Sequence, residues 1–129
     1  MTGLAFARTS DWPAGLLMPA TSRGFARRSG ISRLMAMGTP ETVIDDARVR
    51  VTKWVFAADG DETGHHVHEY DYLVVPVTGG RFTIVHDDTS TTDFVQHAGT
   101  PYSGTAGTSH NVVNSSGSAA VFVEIELKT

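Results

Sequence analysis

The run Gly60-Asp61-Glu62-Thr63-Gly64-His65-His66-Val67-His68-Glu69-Tyr70-Asp71-Tyr72, carried on to Gly79, decides how the rest of the chain is read. Successive side chains on a strand point to opposite faces. If the run is extended, His66, His68, Tyr70 and Tyr72 share one face, and Glu69 and Asp71 take the other. Two imidazoles on one face of a strand, separated by a single residue, can hold one metal ion. A third imidazole, His110, lies far downstream within Gly107-Thr108-Ser109-His110-Asn111-Val112-Val113-Asn114.

Outward from this run the chain reads as short strands broken by turn residues, with no convincing helical period. Arg48-Val49-Arg50-Val51-Thr52 alternates, and Lys53-Trp54-Val55-Phe56 prolongs it with β-favouring residues. Ala57 to Gly64 is rich in Asp and Gly and predicts a loop. Val67 to Val77 predicts one long extended stretch. Within it Leu73-Val74-Val75 is apolar on both faces, which suits an inner strand of a closed sheet. Pro76 cannot donate to a ladder, so the strand should end or bulge there, ahead of the turn at Thr78-Gly79-Gly80. Further strands are predicted over Arg81 to His86, Thr91 to Gln96 and Ser109 to Val113, with a loop from Gly99 to Gly107. In the final strand Val121, Val123, Ile125 and Leu127 face one way, and Phe122, Glu124 and Glu126 the other. Strands and turns at this spacing predict an all-β sandwich or barrel.

Composition sets the limits of function. At 129 residues the chain suits one domain with one core. Its 40% apolar and 19% charged residues are ordinary for a soluble domain. It has no cysteine, so neither a disulfide framework nor a thiolate site is available. A metal would have to use His, carboxylate, Tyr or amide ligands. No apolar run approaches the ~18 residues of a membrane span, and a cytoplasmic protein is expected.

The net charge of −4 is unevenly spread. Residues 1–36 carry Arg8, Arg23, Arg27, Arg28 and Arg33 against Asp11 alone, whereas the other five basic side chains face thirteen acidic ones. That acidic remainder would repel phosphate, which argues against a nucleic-acid partner. The basic, Gly- and Ser-containing start can be read as a transit segment, a disordered arm or an upstream extension ahead of Met37. Leu16-Leu17-Met18 is too short for a secretory core of ~7–15 residues. We take residues 1–36 as an arm or extension outside the core, and 37–129 as the domain, ordered from near Thr42.

The two histidine segments resemble the paired motifs of the cupin superfamily. The first motif runs Gly, five residues, His-x-His, three or four residues, Glu, six residues, Gly. Gly60, His66, His68 and Gly79 fall in register, and Tyr72 stands where Glu is expected. The second runs Gly, five residues, Pro-x-Gly, two residues, His, three residues, Asn. Gly99, Gly107, His110 and Asn114 fall in register, with Thr105 in place of Pro. The run from His66 to Pro76 is also similar to a bacterial subgroup of small cupins, some labelled β-alanine degradation proteins.

The resemblance implies a jelly-roll β-barrel with one divalent transition metal held by His66, His68 and His110. Imidazole suits Fe, Ni, Zn, Mn or Cu, and the sequence does not choose among them. The neutral phenol of Tyr72 in place of a carboxylate would leave three neutral ligands, a site that favours an anionic or chelating substrate. Tyr72 is then a candidate catalytic residue, as weak ligand, hydrogen-bond donor or general acid, or else a wall of the barrel. Glu69 and Asp71 should face away unless a bulge turns one inward as a fourth ligand. His65, His86 and His97 read as surface residues, Tyr70 as packing, and Asn114 as a turn-stabilising amide.

The functional expectation is an enzyme acting on a small organic acid or dicarbonyl. An Fe(II) dioxygenase-like reaction comes first, and an isomerase or lyase next. The alternative is a non-catalytic small-molecule-binding module. Cupins often pair through sheet edges, so a homodimer is expected, with the final strand contributing.

Overall fold

The computed structural model describes residues 36–129. Its strands are β1 (Thr39–Asp45), β2 (Val49–Phe56), β3 (His66–Val67), β4 (Asp71–Pro76), β5 (Gly80–His86), β6 (Thr91–Gln96), β7 (Tyr102–Gly104), β8 (Ser109–Asn114) and β9 (Ala120–Leu127). They form two antiparallel sheets, ordered β1-β2-β9-β4-β7 and β3-β8-β5-β6. No helix occurs among the described residues. The all-β jelly-roll expectation is met. The arm expected at residues 1–36 lies outside the described residues, save Ala36.

β2 pairs with β9 along its whole length, from Val49↔Leu127 to Phe56↔Ala120. β9 pairs in turn with β4, so Leu73-Val74-Val75 does occupy an inner strand. Strand alternation then sorts the side chains. Trp54, Phe56, Phe122, Tyr72 and Val74 face the second sheet and build the core. Across the gap Phe82 of β5 meets them, with ring centroids 5.5 Å from Phe56 and 5.7 Å from Phe122. Phe56 and Phe82 are wholly buried. Each such ring contributes about 1.5–3 kcal/mol of burial, and edge-on aromatic pairs about 0.5–1.5 kcal/mol more. This aromatic cluster pins the sheets together and fills the space beside the histidines.

Three expectations need correcting. The predicted strand from Val67 to Val77 is two strands in different sheets, β3 and β4, interrupted at His68 to Tyr70. There the chain crosses between sheets. His68 N–H still bonds to the Thr108 carbonyl at 2.8 Å, whereas Asp71 opens the pairing with β9. The loop predicted from Gly99 to Gly107 contains β7, a three-residue strand that caps the β4 edge. The chain is also ordered before Thr42: β1 begins at Thr39 and runs beside β2, with a bulge between Thr42 and Ile44.

The motif glycines Gly60 and Gly107 have φ of 93° and 92°, with open space where a Cβ would stand. Their role is conformational, since a left-handed backbone strains any residue with a Cβ. Each turns the chain just ahead of a histidine segment.

Candidate metal centre

His66 on β3 and His110 on β8 are direct cross-strand partners. His68 follows in the crossing between sheets, and the three rings meet edge to face. The Nε2 atoms of His66 and His68 lie 3.1 Å apart, and those of His68 and His110 lie 3.2 Å apart. Among the described residues these three form the one group of His, Cys, Asp or Glu side chains able to hold an ion. Neither Glu69 nor Asp71 joins them. Both are exposed, and Asp71 Oδ1 accepts the Ala106 N–H at 2.8 Å.

Hydrogen bonds decide which nitrogens point inward. His66 Nδ1 is 2.9 Å from the Gly64 carbonyl, which can only accept, so Nδ1 carries a proton. A neutral His66 therefore aims the Nε2 lone pair into the cluster. Asn111 holds this arrangement from behind, its Oδ1 accepting the Gly64 N–H at 2.9 Å. His68 turns Nδ1 toward Glu124, 3.7 Å from Oε2. Burial first, then the neighbouring imidazoles, lowers His68 and His110 to about 4, so both are neutral near pH 7. Lone pairs converging at this distance repel unless a proton on one nitrogen or a cation lies between them. An ion held ~2.1 Å from each nitrogen sets neighbouring ligand nitrogens ~3.0–3.4 Å apart, for angles between right and tetrahedral. Two of the three separations match that span and all three ligand atoms lie within 4.8 Å of one another, so the residues present fit a divalent transition metal once the His66 and His110 rings close on it.

The cluster opens on a cavity of about 170 Å³ between the sheets. Trp54, Tyr72, Phe94, Tyr102 and Phe122 give it aromatic walls, and among its described lining residues none is Lys or Arg. Its one carboxylate is Glu124, from the face of β9 that also carries Phe122. Trp54 hydrogen-bonds to it, and burial, with the charge of Glu126 added, raises it to about 7. Glu126 itself is held by Arg50 through two bonds of 2.8 and 2.7 Å.

Tyr72 lines the cavity and stacks on His68, with centroids 3.8 Å apart and planes 15° from parallel. Its hydroxyl hydrogen-bonds with Thr108, and burial raises its pKa, so it stays a neutral phenol. This packing requires Gly104, its cross-strand partner, because a Cβ there would overlap the phenol ring. We predict that Gly104→Ala destabilises the protein by about 1–3 kcal/mol, measured by urea unfolding. In a Tyr72→Leu background the same substitution should cost little; an equal cost in both backgrounds would contradict the clash.

The remaining histidines stand apart. His65 is exposed, where Asp87 and Ser109 bind its Nε2 at 2.9 and 3.0 Å. His86 bonds to Thr92 at 2.8 Å, and His97 is exposed. Tyr70 packs outside the cavity under Arg50, 5.9 Å from the guanidinium.

The shifts set a pH dependence. His68 and His110 bind protons more weakly folded than unfolded, so they lower stability as pH falls from about 6.5 to about 4. Glu124 does the reverse: its raised pKa favours the fold at low pH, and that advantage is lost as pH rises through about 7. The metal-free protein should therefore lose stability on acidification from pH 6.5, and Glu124→Gln should lose it more steeply. Melting temperatures across that range test both signs.

No family model matches the chain. It is 43% identical over 93 residues to the β-alanine degradation protein BauB of Pseudomonas aeruginosa, covering 69% of this chain and 92% of that protein. A solved RmlC-like cupin with a double-stranded β-helix fold from Methanocaldococcus jannaschii shares 12% identity, with a TM-score of 0.59, over 71% of this chain and 81% of its own. A cupin domain from Bordetella pertussis shares 40% identity, with a TM-score of 0.68, over 72% of this chain. With that identity sustained along 95% of the Bordetella domain, the chain belongs to the cupin superfamily.

Proposed function

We propose that this cupin is a metal-dependent enzyme acting on a small organic acid or dicarbonyl, with an Fe(II) dioxygenase-like reaction first and isomerisation or lyase chemistry next. The observation that carries this reading is the convergence of His66, His68 and His110, with successive Nε2 atoms 3.1 and 3.2 Å apart, on a cavity that offers no fourth protein ligand among the described residues. An ion bound there supplies Lewis acidity and, as iron, affinity for dioxygen. Three neutral ligands leave its charge uncompensated, so the anionic or chelating end of a substrate belongs at the ion. Tyr72, held as a neutral phenol against His68, is the candidate to hand a proton to the substrate. The name of the Pseudomonas relative adds small acids related to amino acids to the candidates. A cytoplasmic location fits the absence, among the described residues, of any helix long and apolar enough to cross a membrane.

The test is turnover of small keto acids and dicarbonyls by iron-loaded protein, in air and under nitrogen. Product formed only in air supports the oxygenase, and product in both supports the isomerase or lyase. Unchanged substrate in both contradicts the enzyme and leaves a binding module.

The same reading makes the protein a homodimer. Register places Val51, Ile125 and Leu73 side by side across β2, β9 and β4, on the face turned away from the cavity. Ile44 pairs onto the same face and is 49% exposed. Apolar patches of this kind mark interfaces. Light scattering should give twice the chain mass, and Ile125→Glu should give a monomer; a monomeric wild type contradicts it.

A further inference from the structure

The aromatic cavity contains one carboxyl group that the metal reading does not use as a ligand. Glu124 lies on the inner face of β9, its side chain 13% exposed. It is not a ligand: its carboxylate reaches toward Nδ1 of His68, the edge of that ring away from the cluster. At 3.7 Å this approach is too long for a hydrogen bond. Trp54 donates one bond to it. The nearby guanidinium of Arg50 is committed to Glu126 by two bonds. Around Glu124 stand Trp54, Phe122 and Tyr102, and among the described lining residues no Lys or Arg supplies a countercharge.

We infer that Glu124 and its aromatic neighbours receive an ammonium group, so that the substrate is a small zwitterion with its acid end at the metal and its amine end at Glu124. A desolvated carboxylate pairs strongly with an ammonium donor. The cavity's aromatic walls, Trp54 and Tyr102 among them, add ring quadrupoles that favour a cation. The charges also sum sensibly. A divalent ion with three neutral ligands attracts an anion, one buried carboxylate attracts a cation, and a molecule carrying both satisfies each end. A pocket built for a plain organic acid would have no use for a negative group in its wall, since like charges there repel.

This inference rests on the metal reading for the acid end only. Calorimetric titrations on metal-loaded wild type and Glu124→Gln should therefore use three probes: 3-aminopropanoate, propanoate and propan-1-amine. Glycine against acetate, and 4-aminobutanoate against butanoate, extend the comparison to shorter and longer chains. Metal content is measured on each sample by elemental analysis. Gln keeps the size and the acceptor for Trp54 but removes the charge. We expect the amino acids to bind wild type about tenfold or more tighter than the acids lacking the amine. Glu124→Gln should erase that preference while leaving metal content unchanged and propanoate bound at least as tightly as by wild type. Circular dichroism confirms that the variant is folded, and the wild-type preference stands as evidence without it. Equal affinities for 3-aminopropanoate and propanoate in wild type, no detectable binding of any probe, or a preference that survives Glu124→Gln would each overturn the inference. Protein that takes up no metal when loaded yet binds propan-1-amine through Glu124 would sink the metal reading and keep this one. Metal-loaded protein indifferent to the amine would do the opposite.

Discussion

Alanine at His110 will empty the metal site. Protein purified without chelator or nickel resin should carry about one divalent ion per chain, and the His110→Ala protein close to none after dialysis. Losing even an outer partner of a metal ligand costs about 10–100-fold in affinity, and His110 is one of the three proposed direct ligands, so the loss should exceed that range. The variant should nevertheless fold. His110 is only half-buried, and its backbone pairing with His66 and His86 does not depend on the ring. His66→Ala should behave alike, whereas His65→Ala and His86→Ala should keep their metal, because those rings lie outside the cluster. Elemental analysis of the four variants checks the pattern. Metal retained by His110→Ala, or lost from His86→Ala, would mean that the ion binds elsewhere.

Asn114→Ala will be among the most destabilising substitutions in the domain, at roughly 3 kcal/mol or more. Asn114 is wholly buried. Its Nδ2 donates to the carbonyls of Ala58 and Ser118 at 3.0 and 2.7 Å, and its Oδ1 accepts the Ser116 N–H at 3.0 Å. Alanine leaves the Ser116 N–H without its partner, at about 1–3 kcal/mol, and removes one bond each from the Ala58 and Ser118 carbonyls, which keep the Asp61 N–H and the Ser116 hydroxyl, at about 0.5–1.5 kcal/mol apiece. The turns are the one after β8 and the one that leads through Asp61 to the histidines, so the damage reaches the site. For a domain of this size the melting temperature should fall by roughly 12–24 °C. A drop of only a few degrees would show that water replaces the amide at both turns.

Much of the site was legible because its spacing is a consequence of backbone geometry. One residue between His66 and His68 suits an extended segment, and Gly60 and Gly107 mark the turns ahead of the two histidine segments. Asn114 was legible as a turn amide, although its full burial was not. Glu124 was missed as a cavity group because a charge on an alternating strand reads as solvent-facing. The one hint was that it shares a face with Phe122, opposite an apolar Val123 and Ile125 that turn out to lie outside. β1 left no pattern since every residue from Thr39 to Asp45 is exposed and Pro40 interrupts the run. β7 is too short for alternation to show. The break between β3 and β4 escaped notice because Glu69-Tyr70-Asp71 keeps the parity of a strand while the chain changes sheets. Tyr72 still reached the cavity, but from the opposite sheet to His66.

The measurement that bears most directly on the three-imidazole centre is anomalous diffraction at the absorption edge of the metal found in the purified protein. A single peak about 2.1 Å from the Nε2 atoms of His66, His68 and His110 is the result expected. Crystals of metal-containing protein with no peak there, or with the peak at His65, Asp87 or any other group, would contradict it.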